Sequence, residues 1–96
     1  GIHDVPIPKE LQVHNLEDGG VAIQYHCDTP CPELVERLKG ISQRYAGKPL
    51  LVAPYPDMEH RIALTAWTRL DTFDEFDEAR IEAFIQAYMG IDHHGR

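Results

Sequence analysis

The residues of this 96-residue chain best suited to redox or metal chemistry are two cysteines and six histidines. Both cysteines lie in one heptapeptide, His26-Cys27-Asp28-Thr29-Pro30-Cys31-Pro32. It follows an alternating apolar stretch that predicts a strand and precedes a proline suited to the first turn of a helix. A helix N-terminus offers free amide groups and the positive end of its dipole, and both stabilise a thiolate at Cys31. Three chemistries stay open for the pair. In an oxidising compartment it forms a local disulfide, in a reducing one it stays as buried thiols, and with His26 it would make a thiolate-imidazole site for copper or zinc. A strand end followed directly by a helix start places the two close enough to interact, and a disulfide requires Cα atoms roughly 4.4–6.8 Å apart.

A second constellation is His14 with Asp18, beside the turn-forming run Glu17-Asp18-Gly19-Gly20. Imidazole nitrogen and carboxylate oxygen both suit zinc, iron or copper. The plainer account makes His14 a solvent-facing strand residue and Asp18 a turn former. Met58 and His60 follow Pro54-Tyr55-Pro56; they would join a soft-metal site or simply close a hairpin. The acidic run Asp71, Asp74, Glu75, Asp77, Glu78 and Glu82 lacks the ligand spacing and central glycine of a calcium loop, and reads as a solvated helix cap. His93 and His94 near the end of the chain are expected to chelate metal adventitiously.

The expected scaffold is a single two-layer α+β domain over residues 1–96, in the order β-β-α-β-β-α. Residues 1–9, with Pro6 and Pro8, form an extended arm, and 91–96 a short tail. Leu11 and Val13, then Val21, Ile23, Tyr25 and Cys27, alternate with a period of two, and Glu17 to Gly20 between them predicts an antiparallel hairpin. Leu34, Leu38, Ile41 and Tyr45 recur at helical spacing, from a start near Cys31 or Pro32 to an end before Gly47. The continuous apolar run Leu50 to Ala53 predicts a central strand covered on both faces. It would run parallel to the strand before the first helix through a right-handed crossover. Arg61 to Thr68 alternates as a fourth strand, with Trp67 in the core. A second helix spans about Asp77 to Met89, with Asp77 as N-cap and Phe76 as a staple on Ile81. The sheet is therefore mixed or antiparallel, four-stranded, with two helices on one face.

A net charge of -7 with nine scattered Lys and Arg disfavours nucleic acid and anionic lipid as partners. No apolar run reaches the length of a membrane span, so this segment is expected to make no membrane contact of its own. No nucleophile elbow, zincin motif or phosphate loop is present, so the expectation is a binding module rather than a self-contained enzyme.

Several segments together carry a resemblance: His14-Asn15-Leu16-Glu17-Asp18-Gly19-Gly20-Val21, Cys31-Pro32-Glu33-Leu34, Ala53-Pro54-Tyr55-Pro56, Ala63-Leu64-Thr65-Ala66-Trp67, and Phe84 to Gly90. In this order they are similar to domain of unknown function 3105, a family of uncharacterised bacterial and archaeal proteins. The resemblance implies an extracytoplasmic location, periplasmic or at the cell surface, often behind an upstream membrane anchor. The chain departs from the family pattern at Asp18, where a second His is usual, and lacks the family's upstream Ser-Gly-Pro-His. If those histidines form a site, this chain holds part of it or a version with a carboxylate ligand. The cysteine heptapeptide also resembles the Cys-x-x-x-Cys-Pro motif of Sco-type copper chaperones, with His60 as the distant ligand. The chain is shorter than their thioredoxin-like fold. The leading expectation is a small extracytoplasmic module that binds or traffics a transition metal through His14, Asp18, His26, Cys27 and Cys31. The alternatives are a structural or protein-interaction domain, assembling with an unknown partner or as a homo-oligomer, and a thiol redox protein in which Cys31 attacks.

Overall fold

Strand β1 (Val21–Tyr25) leads into helix α1 (Pro32–Arg44), which returns the chain to strand β2 (Leu50–Pro54). Then follow β3 (Ile62–Ala66), β4 (Arg69–Phe73) and helix α2 (Glu78–Tyr88). The structure, a computed structural model, describes residues 2, 5–7, 12, 15–17, 19–56 and 58–89. The four strands make one mixed sheet in the order β2-β1-β3-β4. β1 and β2 are parallel, as a right-handed crossover through α1 requires, while β3 and β4 are antiparallel to their inner neighbours.

Period two on the strands and period 3.6 on the helices meet in one core. Val21, Ile23, Val52, Ile62 and Leu64 from the sheet cluster with Leu34, Leu38 and Ile41 of α1 and with Ile81, Phe84 and Ile85 of α2. Both helices therefore bury their apolar stripes on the same sheet face. On the alternate positions Ala22, Ala53 and Ala63 are also buried. Tyr88 and Phe76 pack at the margin of the cluster. Asp77 caps α2 as its residue type predicts, accepting from the Arg80 N–H at 3.1 Å.

Three expectations are corrected. Gln12, Asn15, Leu16 and Glu17 are helical, not part of a first strand, so no hairpin joins them to β1. Gly19, with φ +89°, donates its N–H to the Leu16 carbonyl, and Gly20 donates to the Asn15 carbonyl at 2.8 Å. This is the paired bonding of a Schellman motif: the two glycines stop a helix instead of turning a hairpin. A Cβ on Gly20 would come within 2.6 Å of the Asn15 carbonyl oxygen and closer still to its side-chain amide. Gly20→Ala is accordingly expected to cost about 1–3 kcal/mol through overpacking. Gly40→Ala, inside α1 with nothing within 4 Å of the added methyl, should instead stabilise by about 0.5–1 kcal/mol. Urea unfolding of the two variants checks both signs.

The second correction concerns β2, which is the outer member of the four strands and not central. Its apolar run is explained by burial all the same: Leu50, Val52 and Ala53 are each no more than 1% exposed, and Ile2 bridges to Val52 in parallel along the outer edge. Third, the alternating stretch from Arg61 stops at Ala66. Trp67 and Thr68 turn the chain, Thr68 taking φ +64°, and β4 pairs back on β3. Trp67 is consequently partly exposed in the turn rather than a strand core residue. β4 is an edge strand whose Leu70 is 69% exposed, so it lacks the alternation by which a half-buried strand is recognised.

Several carboxylates of the largely exposed acidic run also have basic partners. Asp71 takes two hydrogen bonds from Arg80, at 2.7 and 2.6 Å, and the guanidinium lies 4.3 Å over the Phe73 ring. Those bonds hold the Asp71 carboxyl below its ordinary range. Glu78 and Glu82 face Arg44 at 3.4 and 3.6 Å, tying α2 to the end of α1.

Candidate functional site

Strand register decides what surrounds the cysteines. Tyr25, the last residue of β1, is opposite Pro54 on one side and Ile62 on the other. The chain just beyond Tyr25 is thus flanked by both ends of the loop that joins β2 to β3. The Tyr55 N–H donates to the Tyr25 carbonyl at 2.8 Å, and the His26 N–H donates to the Arg61 carbonyl at 2.9 Å. α1 starts beside these loops, so the site sits beyond the carboxyl end of the parallel pair, where open α/β sheets commonly bind ligands.

Cys27 and Cys31 are joined in a disulfide, with Cα atoms 6.2 Å apart. That lies inside the range expected for such a bond. Cys27 and Cys31 are both partly buried against the core and partly exposed. Cys31 is the N-cap of α1, and no side chain caps that helix end. Pro32 occupies the first helical position, where its missing N–H costs nothing.

Two depressions share the disulfide-bearing loop as a wall. The larger, an open cleft of about 770 Å³, is polar: Glu33 and Arg37 of α1, Met58, His60 and Arg61 of the β2–β3 loop, and Phe76 line it with the loop. Arg37 lies 5.4 Å over the Phe76 ring. The smaller, about 370 Å³, adds Pro6, Tyr25, Val35, Pro54, Tyr55 and Pro56 to the cysteine loop, of which His26, Thr29 and Pro30 line both depressions.

Of the five expected metal ligands, the structure describes His26, Cys27 and Cys31. His14 and Asp18 lie outside the described residues. Cys27 and Cys31 have spent their thiolates on each other, and a disulfide sulfur is no thiolate ligand. The His26 ring nitrogen Nε2 is 3.2 Å from Asp28, and His60 Nδ1 is 3.3 Å from Asp74, which also accepts from the Arg61 N–H. Among the described residues, no three His, Cys, Asp or Glu side chains converge as a metal-holding group. Met58 and His60 of the β2–β3 loop line the same cleft as the cysteines.

Reasoning from sequence missed the tyrosine-proline groove. Pro54-Tyr55-Pro56 is visible as a turn motif, but its contact with the cysteine loop depends on the parallel register of β1 and β2. No helix among the described residues is long and apolar enough to cross a membrane. The disulfide is compatible with an oxidising, extracytoplasmic compartment.

The sequence model of a family described as protein of unknown function (DUF3105) matches residues 1–95. No curated protein and no solved structure matches the chain.

Proposed function

We propose that this chain, which belongs to the family described as protein of unknown function (DUF3105), is an extracytoplasmic thiol–disulfide exchange module whose working pair is Cys27 and Cys31. The observation that carries the reading is the partly exposed disulfide that links the end of β1 to the N-cap of α1 and lines two depressions. A cysteine pair at the first turn of a β-α-β unit is the setting of thioredoxin-like redox motifs, here with three intervening residues instead of two. Fold analogy alone does not carry function, so the argument rests on the cysteines themselves.

A purely structural staple explains the bond less well. Its ends are four residues apart, and in the chain-entropy view closing so short a loop contributes only about 2 kcal/mol. Reduction, by contrast, supplies what α1 lacks in the oxidised form. A Cys31 thiolate at the N-cap would accept from the first-turn amides and meet the positive end of the dipole of a 13-residue helix. Those interactions favour the reduced state and make Cys31 the attacking sulfur.

In the reducing direction the Cys31 thiolate attacks one sulfur of a partner disulfide. The partner's S–S bond breaks, its second sulfur leaves as a thiolate and takes up a proton, and a Cys31–partner bond forms. Deprotonated Cys27 then attacks the Cys31 sulfur, releases the partner's first sulfur as a thiolate and leaves the Cys27–Cys31 bond. Two electrons pass to the partner, and its two released thiolates are protonated by the proton lost from Cys27 and one from water. Trapping the mixed disulfide in Cys27→Ser, with Cys31→Ser as the contrast, tests the scheme.

A second reading, in which the reduced pair binds copper or zinc, is favoured by the cleft lining, because His26, Met58 and His60 border the same space as both cysteines. On this reading the reduced protein, with His93 and His94 replaced by Ala, takes up copper(I) in a calorimetric titration and the oxidised protein takes up none. Equal uptake by both forms would place the ion away from the cysteines.

A further inference from the structure

The two depressions beside the disulfide differ in chemistry, and the difference bears on which thiols or disulfides reach it. In a chain that is 26% charged, the smaller groove has no Asp, Glu, Lys or Arg along its described lining. Tyr25, Pro54, Tyr55 and Pro56 line it with Val35 of α1 and Pro6, and His26, Thr29 and Pro30 of the cysteine loop supply its polar margin. Tyrosine and proline surfaces are stiff, so they bury apolar area with little loss of side-chain entropy, and such walls suit extended polypeptide. The groove opens directly onto Cys27 and Cys31, which also line it. The net charge of -7 repels acidic ligands at long range.

We infer that the Tyr25–Tyr55 groove seats an extended, uncharged apolar segment of a protein substrate, immediately beside the cysteine that exchanges with Cys31. This rests on the exchange reading above and adds the substrate class to it: cysteines in exposed apolar stretches of polypeptide, not small acidic thiols. The polar cleft, which shares the cysteine loop as a wall, carries the charged Glu33, Arg37 and Arg61 that the groove lacks.

The test uses reduced wild-type protein and three mixed disulfides that share one chromogenic aryl thiol as leaving group, so that intrinsic reactivity is held constant. The first carries a cysteine flanked by Val and Pro, the second a cysteine flanked by Glu, and the third a blocked single cysteine. Attack by Cys31 on the cysteine sulfur releases the aryl thiolate, and Cys27 then frees the peptide thiol. The Val/Pro peptide is expected to react about tenfold faster than the single cysteine, the factor given by burying one aliphatic side chain, and the Glu peptide slower than both. Tyr55→Ala should bring the ratio of the first rate to the third close to one, while Tyr55→Phe, which keeps the ring, should preserve it. Leu70→Ser, on the exposed strand β4, should leave the ratio as in wild type. Equal rates for all three probes, or a ratio insensitive to Tyr55→Ala, overturn the groove assignment and leave the exchange chemistry standing. Release of aryl thiolate from none of the probes overturns both.

Discussion

Incubated with a disulfide-bonded substrate, reduced Cys27→Ser protein is expected to accumulate a covalent complex through Cys31, whereas Cys31→Ser accumulates none and loses exchange to the background rate. The asymmetry follows from position. Cys31 is the N-cap of α1, where the helix dipole and first-turn amides would stabilise a thiolate on reduction, while Cys27 follows the end of β1 and has no helix terminus of its own. On the exchange reading the wild-type Cys31–partner bond would be short-lived, because Cys27 lies four residues away and would attack within the same molecule. Well-placed intramolecular attack outruns an external thiol by orders of magnitude. Removing Cys27 removes that resolving step and leaves the intermediate to be seen by mass spectrometry under non-reducing conditions, with the attachment site read from its fragments. A complex formed equally by both variants would deny Cys31 its special role. No complex with either, together with intact folding of both, would return the disulfide to a structural part and leave the interaction-domain reading in front.

Leu38→Ala should cost on the order of 2–5 kcal/mol, the usual loss for emptying a fully buried leucine position. Leu38 is 0% exposed on α1 and belongs to the cluster that joins both helices to the sheet. Domains of this kind keep only about 5–15 kcal/mol of net stability, so this one truncation removes a large share of it. The melting temperature should fall by at least about 8 °C. In urea the midpoint should move with an unchanged slope, which marks a loss of stability and not a change in the surface exposed on unfolding. Leu70→Ser supplies the contrast. At 69% exposure it has little burial to lose and should stay within about 0.5 kcal/mol of wild type. A shift for Leu38→Ala as small as that for Leu70→Ser would contradict the packing of α1 on the sheet. The same shift would also separate the core from the site, since Cys27 and Cys31 only border the cluster.

Sequence by itself determined the parts of this protein that are specified within a few turns of chain. The 3.6-residue spacing of Leu34, Leu38 and Ile41, Pro32 at the first helical position and the Asp77 cap place both long helices, because these signals act on their own neighbours. The apolar run before Pro54, and its parallel return after one helix, were legible for the same reason, as was the closeness of Cys27 to Cys31. The stretch before β1 was not. Leu11 and Val13 are too few to separate period two from period 3.6, and a Gly-Gly pair serves equally as a hairpin turn and as a helix stop until the Asn15 and Leu16 carbonyls are seen to accept from it. β4 escaped because an edge strand with an exposed Leu70 needs no alternation, and only its partner β3 makes it a strand. The site itself was decided by tertiary structure. Pro54-Tyr55-Pro56 and Met58 to Arg61 are both remote in sequence from Cys27, and they reach it because Tyr25 pairs with Pro54 on one side and Ile62 on the other. Composition left the cysteines open to metal, thiol or disulfide; the folded chain sets them at bonding distance, and each sulfur took the other as its partner.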